Sequence, residues 1–228
     1  MHIAVLMANT DDSAFAQAHP DDGAKFRALL QGCRPDWRVT VFSVKDGDFP
    51  PKAARFDGWL ITGSPASVNE ETDWVGHLLA LIRRLVAEEQ PLFGACFGHQ
   101  AIAKALGGAV GDNPGGWVFG LTQTKMEDQA ISLYAAHREQ VLATPTGAVV
   151  LGGNAECPVG SMAIGSRVLT TQYHPEMRPE FVAALVEAFA KKLPEDVIAR
   201  ARDSLRGKRA DSERIAERIA RFFEEAVR

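Results

Sequence analysis

The chain has 228 residues, of which 46% are hydrophobic and 24% are charged, with a net charge of −4. This size and composition predict one compact domain with a full core. The small negative charge gives no basis for a nucleic-acid partner. No run approaches the roughly 20 apolar residues of a membrane span, so no membrane association is expected.

Three cysteines, at positions 33, 96 and 157, form no C-x-x-C pair. This pattern argues against a disulfide scaffold and against a structural zinc site. We therefore expect a cytoplasmic protein that holds no metal and no cofactor.

Short apolar or β-branched runs alternate with helical patterns in the first half of the chain. Strands are predicted at 3–8, 37–44, 59–62 and 91–95, and helices at 21–31 and 74–88. The continuous apolar runs at 3–8 and 91–95 are typical of buried parallel strands. The alternation predicts an α/β fold with a mainly parallel sheet.

The middle of the chain, from about residue 107 to 171, is richer in glycine and has β-like pieces at 119–125, 149–151 and 168–173. They predict further strands of the same domain. Beyond Pro179 the pattern is helical. The last helix has Asp211 or Ser212 as its expected cap and an apolar stripe formed by Ile215, Ile219, Phe222, Phe223 and Ala226.

We predict one domain over residues 1–192 and a helical extension over 193–228. The stripe of the last helix would cover either the domain's own sheet or a partner subunit.

The segment around Cys96 predicts a nucleophile at a sharp turn between strand and helix. Gly94 and Gly98 flank the cysteine at minus two and plus two. Flanking glycines permit the strained backbone that lifts a nucleophile out of a sheet. At the start of a helix, the backbone N–H groups and the helix dipole favour a thiolate. A buried small apolar residue is the alternative for a free cysteine.

A second segment, with His174 and Glu176 around Pro175, favours the nucleophile. A nucleophilic cysteine needs a base, and the base needs a partner that holds its ring. The proline pushes His174 toward an extended conformation, in which residues i and i+2 point to the same side. Glu176 is therefore expected to hold His174.

Together, Gly94-Ala95-Cys96-Phe97-Gly98-His99-Gln100 and His174-Pro175-Glu176 resemble the two signature segments of class I, triad-type glutamine amidotransferase domains. Residues 62–68 are similar to the glycine-rich loop after the third strand of that family. The resemblance covers roughly residues 1–190 and is closest to stand-alone, GMP-synthetase-like members.

The resemblance implies a flavodoxin-like three-layer α/β/α sandwich, which the helical extension predicted from the pattern at 193–228 would follow. It also implies that Cys96 attacks the γ-carboxamide of glutamine, forming a thioester and releasing ammonia, with His174 as base and Glu176 as its partner. Gly63 and Phe97 would supply the two oxyanion donors.

Four residues are predicted to contact the substrate: Ser64, Gln100, Val118 and Phe119. Gly116-Trp117-Val118-Phe119-Gly120 is more apolar than the corresponding segment of many members, and His137-Arg138-Glu139 replaces their histidine-x-aspartate turn. Both departures leave the identity of the γ-glutamyl substrate open. His137 lies either at the edge of the site or in a surface turn.

Three functions are compatible with these residues. The first is a glutaminase subunit that feeds ammonia to a separate synthetase in trans. The second is a stand-alone γ-glutamyl peptidase or amide hydrolase with the same triad. The third is a non-catalytic regulatory module, against which an intact triad argues. The sequence leaves homo-oligomerisation open.

Overall fold

The computed structural model describes residues 1–127 and 129–227, within which the chain forms eleven strands, seven α-helices and one short 3-10 helix. The strands are β1 (His2–Met7), β2 (Arg38–Ser43), β3 (Gly58–Ile61), β4 (Leu92–Ala95), β5 (Ala109–Asp112), β6 (Val118–Met126), β7 (Gln129–His137), β8 (Glu139–Ala143), β9 (Ala148–Gly152), β10 (Ser161–Ile164) and β11 (Val168–Thr171). The helices are α1 (Ala14–Gln17), α2 (Asp22–Cys33), α3 (Asp73–Ala87), α4 (Phe97–Ala105), α5 (Pro179–Phe189), α6 (Glu195–Ser204) and α7 (Ser212–Ala226).

A seven-stranded sheet in the order β2-β1-β3-β4-β11-β10-β9 forms the middle layer. The first five strands are mutually parallel, and β10 runs against both of its neighbours. The order of the five parallel strands is the flavodoxin-like order. The predicted α/β fold with a mainly parallel sheet is therefore confirmed.

Both faces of this sheet are covered, because successive side chains of a strand point to opposite sides. Ile3 and Val5 of β1 lie in a core shared with α2 and α7, whereas Ala4 and Leu6 lie in a core shared with α3 and α4. Helices on the two faces produce the three layers of the sandwich.

The apolar stripe of α7 is buried against the sheet of its own chain. A Cβ placed on Gly58 of β3 would lie 2.4 Å from the ring of Phe223, so only glycine leaves room for that ring. At the edge of the same contact, Arg34 forms ion pairs with Glu217 at 2.9 Å and with Glu224 at 2.6 Å. The sequence left open whether this stripe covers the domain's own sheet or a partner subunit. In the structure it packs on the domain's own sheet. The boundary between residues 192 and 193 stays a prediction.

The glycine-rich middle of the chain contributes strands to the main sheet and also forms two smaller sheets. Strands β5 and β8 pair with each other, and β6 pairs with β7, as two separate two-stranded sheets. The β6–β7 hairpin reaches the segment that contains His174, since the N–H of His174 donates to the carbonyl of Tyr134 at 2.9 Å. No helix within the described residues is both long enough and apolar enough to cross a membrane.

Candidate active site

Three neighbouring parallel strands end at the same edge of the sheet and bring the predicted site residues together. In the register of the sheet, Ile61 of β3 pairs with Gly94 of β4, and Ala95 of β4 pairs with Thr171 of β11. The segments that follow these strands carry Gly63, Cys96 and His174. Carboxyl ends of parallel strands are the usual place for a site in an open α/β sheet.

Cys96 sits at the turn between β4 and α4 with a φ of 49° and a ψ of −105°. A positive φ is rare for a residue with a side chain and stores strain of about 1–3 kcal/mol. The surroundings hold the turn in place, since the N–H of Cys96 donates to the carbonyl of Thr171 at 2.8 Å. Only 4% of Cys96 is exposed.

The flanking glycines allow the helix to start this close to the sheet. A Cβ on Gly94 would lie 2.6 Å from the backbone of Gly98, and a Cβ on Gly98 would lie 2.5 Å from the carbonyl oxygen of Ile61. Neither position has room for a side chain. The spacing of the two glycines therefore reflects backbone packing as well as the turn itself.

His174 is held by Glu176 at a distance of 2.7 Å between Nδ1 and Oε1. Both side chains are almost fully buried, with 5% of His174 and 0% of Glu176 exposed. Because a carboxylate only accepts, Nδ1 carries the hydrogen and Nε2 is the nitrogen free to take a proton. Within the described residues, Nε2 has no hydrogen-bond partner of ordinary geometry.

The charges around His174 favour its protonated form. Burial by itself would lower the pKa of His174, but Glu176 and the Cys96 side chain in its charged form both raise it, and together they outweigh burial and hold that pKa well above its ordinary value. The ring is therefore suited to keep a proton that it takes from a neighbouring thiol.

The two residues predicted to supply the oxyanion donors lie next to Cys96. Gly63 follows β3, and a Cβ on it would lie 3.6 Å from the Cβ of Cys96. The ring of Phe97 stacks on Trp74 at 5.5 Å between centroids, so it belongs to the core under α4. The backbone N–H of Phe97 is one of the first of the helix, and those groups have no partner within a helix. Its role as an oxyanion donor stays a prediction.

A buried pair of glutamines lies beside Cys96. The Nε2 of Gln100 donates to the carbonyl of Glu139 at 2.8 Å and to the Oε1 of Gln172 at 3.2 Å. Gln172 in turn directs its Nε2 to the sulfur of Cys96 at 3.5 Å. The substrate contact predicted for Gln100 stays a prediction, and the sequence analysis did not single out Gln172. The available signal was the place of Gln172 on the strand-end segment, two residues before His174.

The other three residues predicted to contact substrate have different surroundings. Ser64 follows Gly63 in the loop after β3 and accepts from the N–H of Ala66 at 3.1 Å. Val118 lies in the core with the sheet and α7. The ring of Phe119 packs on Phe189 of α5 at 6.0 Å between centroids. Packing against the C-terminal helices therefore accounts for the apolar character of this segment, and a substrate contact by these residues stays a prediction.

His137 is only 4% exposed and so does not lie in a surface turn. Burial lowers its pKa to about 4. Its Nδ1 lies 3.1 Å from the carbonyl oxygen of Glu139. His99 is fully buried against Thr170, and burial lowers its pKa to about 3. Both histidines are therefore neutral at physiological pH.

The loop that carries Gly63 is tied to the turn after β7. The hydroxyl of Ser67 donates to the carboxylate of Glu139 at 2.7 Å. The carbonyl of the same Glu139 accepts from Gln100. Glu139 thus joins the loop after β3 to the first turn of α4.

Known proteins resemble this chain in sequence and in fold. The model of the glutamine amidotransferase class-I family matches residues 27–193. Gamma-glutamyl peptidase 2 of Arabidopsis thaliana is 29% identical over 191 residues, which are 77% of this chain and 77% of that protein. A subunit of the glutamine-hydrolyzing GMP synthase of Saccharolobus solfataricus is 33% identical over 136 residues, which are 54% of this chain and 69% of that one.

A crystal structure of a glutamine amidotransferase from Methylobacillus flagellatus superposes with a TM-score of 0.74 at 22% identity, covering 100% of this chain and 94% of that one. This likeness concerns the fold. The family match spans well over half of the sequence and includes both strand ends that carry Cys96 and His174. The chain belongs to the class-I glutamine amidotransferase family.

Proposed function

We propose that this protein is an amide hydrolase that opens the γ-glutamyl amide bond of glutamine through a covalent thioester on Cys96. The single observation that carries the proposal is the strained turn at Cys96 beside a buried His174–Glu176 pair whose ring interacts with the Cys96 side chain. A nucleophile, a base and a group that orients the base are what acyl transfer by a cysteine requires.

In the first step, His174 takes the thiol proton at Nε2 and the sulfur of Cys96 bonds to the γ-carbonyl carbon. The carbonyl oxygen becomes negatively charged and is held by the N–H groups of Gly63 and Phe97. His174 then gives its proton to the amide nitrogen, the carbon–nitrogen bond breaks, and ammonia leaves. Glu176 stabilises the protonated ring between these transfers.

In the second step, water attacks the thioester while His174 takes one of its protons. The carbon–sulfur bond breaks, glutamate leaves, and the proton returns to the sulfur of Cys96. The elevated pKa of His174 supports its role as carrier of this proton. A reducing compartment such as the cytoplasm would keep the sulfur available for the next cycle.

A γ-glutamyl peptide is the second candidate substrate. The observation that favours it is the similarity to gamma-glutamyl peptidase 2 of Arabidopsis thaliana, which spans 77% of both chains. The chemistry at Cys96 would be the same, with an amine in place of ammonia as leaving group.

With glutamine as substrate, a synthetase partner in trans would consume the ammonia. Similarity to a protein named as one of the subunits of a glutamine-hydrolyzing GMP synthase supports this arrangement. A free glutaminase would hydrolyse glutamine to glutamate and ammonia with no synthesis to use the ammonia, so the isolated protein is expected to turn over slowly.

The test is release of ammonia or amine from glutamine and from a panel of γ-glutamyl amides and dipeptides. Cys96→Ala is the control that removes the sulfur. We expect turnover that depends on Cys96. It should be slow with glutamine if a synthetase partner gates the protein, and faster with a γ-glutamyl dipeptide if the protein is a peptidase. Full activity in Cys96→Ala would overturn the mechanism.

A further inference from the structure

The sulfur of Cys96 has a side-chain neighbour outside the triad. The Nε2 of Gln172 lies 3.5 Å from this sulfur, and Gln172 is fully buried at 0% exposure. A side-chain amide is expensive to bury unless its groups are hydrogen-bonded. The hydrogen-bond partners of the Gln172 amide therefore determine which of its groups faces the sulfur.

The orientation of the Gln172 amide follows from a backbone carbonyl two contacts away. The carbonyl of Glu139 can only accept, so the group of Gln100 that faces it at 2.8 Å is the NH₂ group. The same NH₂ group faces Gln172 at 3.2 Å, so the atom of Gln172 on that side is the acceptor Oε1. The NH₂ group of Gln172 is thereby directed at Cys96.

We propose that Gln172 donates an N–H to the sulfur of Cys96 and stabilises its negatively charged form, and that Gln100 is a positioning residue that acts through Gln172. The inference rests on the proposed function only in that Cys96 is the nucleophile. It assigns Gln172 a role beside the triad and gives Gln100 a role separate from substrate contact.

The donor acts at the two moments when the sulfur carries charge. Before attack, an N–H aimed at the sulfur favours thiolate over thiol, because hydrogen bonds to the charged form stabilise it. During hydrolysis of the thioester, the sulfur becomes a leaving group and regains negative charge. The same N–H then stabilises it again, and the buried surroundings strengthen the interaction.

The test measures the reactivity of Cys96 itself and needs no substrate. Cys96 is alkylated with iodoacetamide across a pH series, and its modification is followed by peptide mass spectrometry. Gln172→Met keeps the length of the side chain and removes the donor. We expect the profile of rate against pH to move to higher pH by about half a unit to one unit. The rate at high pH should stay the same.

Gln100→Met leaves Gln172 in place and frees its amide to turn, so it should shift the profile in the same direction by a smaller amount. Gln140→Met is the matched control, since Gln140 is another buried glutamine at 4% exposure, and no hydrogen bond among the described residues joins it to Cys96. It should leave the profile unchanged. If Gln172 had only a structural role, Gln172→Met would lower the stability of the protein and the reactivity of Cys96 without moving the midpoint of the profile of rate against pH.

An unchanged midpoint in a folded Gln172→Met protein overturns the inference while leaving the proposed function intact. If Gln172→Met does not fold, the test is made on Gln100→Met. An unchanged midpoint in the Gln100→Met protein then overturns the inference. Failure of the proposed function has a different signature, namely turnover that survives in Cys96→Ala or a Cys96 that iodoacetamide does not modify in the unaltered protein.

Discussion

Gly63 and His174 approach each other so closely that a Cβ on Gly63 would lie 2.9 Å from Cε1 of the imidazole ring. Real Cβ contacts are essentially never this short, so one of the two groups would have to move. The glycine of the loop after β3 is therefore required by this contact, whether or not its N–H acts as the predicted oxyanion donor. Its lack of a side chain also permits the ring of His174 to stand where Glu176 holds it.

Gly63→Ala should displace the ring of His174 and impair turnover. A displacement near 1 Å costs on the order of 100-fold in rate, so we expect a loss of about 10- to 100-fold in kcat/KM with the fold intact. Gly76→Ala is the control, because a Cβ at that position on α3 meets nothing within 4 Å. Steady-state kinetics with the best γ-glutamyl substrate provides the measurement. A Gly63→Ala protein with the kcat/KM of the unaltered protein would contradict the predicted displacement of the His174 ring.

The strained backbone at Cys96 predicts a stability difference between two inactive variants. Glycine adopts a positive φ freely, whereas alanine retains the strain that cysteine has at a φ of 49°. Cys96→Gly should therefore be more stable than Cys96→Ala by about 1 kcal/mol, after the entropic cost of glycine in the unfolded chain. Urea denaturation of the two proteins tests this. Equal midpoints would mean that the turn is relaxed.

Glu176→Gln should lower the pKa of His174, because it removes one of the two negative charges that keep this pKa high. The shift can be read from the pH titration of the ring Cε1 proton by NMR. The same pKa with and without the carboxylate would contradict the electrostatic account.

The elevated pKa of His174 also gives the stability a defined dependence on pH. A raised folded-state pKa means that the folded protein binds the proton more tightly than the unfolded chain. The stabilisation is therefore complete below the unfolded value of about 6.5 and is lost as the pH rises through the folded value. The difference in unfolding free energy between the unaltered protein and Glu176→Gln should therefore shrink as the pH rises through the folded-state pKa of His174. A difference that grows with pH would have the wrong sign.

The last helix should be an integral part of the fold. Phe223 is fully buried against β3, so Phe223→Ala should reduce the free energy of unfolding by about 3–5 kcal/mol. Val227, which is 50% exposed just after the helix, supplies the control, and Val227→Ala should change stability by less than about 0.5 kcal/mol. Equal effects of the two substitutions in denaturant would mean that α7 contributes little to the core.

The regular elements could be predicted from the sequence because burial leaves a local pattern. The apolar run predicted at 91–95 is β4 (Leu92–Ala95), and the stripe predicted at 74–88 is α3 (Asp73–Ala87). The turn at Cys96 was also predictable from its two flanking glycines. Gly94 is required by a local contact with the backbone of Gly98, whereas Gly98 is required by a long-range contact with the carbonyl of Ile61. The stripe of α7 is buried as its spacing predicts.

The pairing of distant segments could not be predicted in the same way. Nothing local to β5 or to β8 indicates that the two pair outside the main sheet, because their partners lie some thirty residues apart, as Asp112 and Glu139 do. The packing of the Phe119 ring on α5 could not be predicted either, because it depends on where the C-terminal helices lie. The amide of Gln172 is directed by Gln100 and Glu139, and only packing brings those three together.

The most direct test of the central claim is to trap the covalent intermediate. The protein is mixed with glutamine or a γ-glutamyl dipeptide, quenched in acid during turnover, and digested for mass spectrometry. The account predicts one γ-glutamyl group on the peptide that contains Cys96, and none on the peptides of Cys33 or Cys157. Turnover with no adduct at Cys96, or an adduct on another residue, would contradict it.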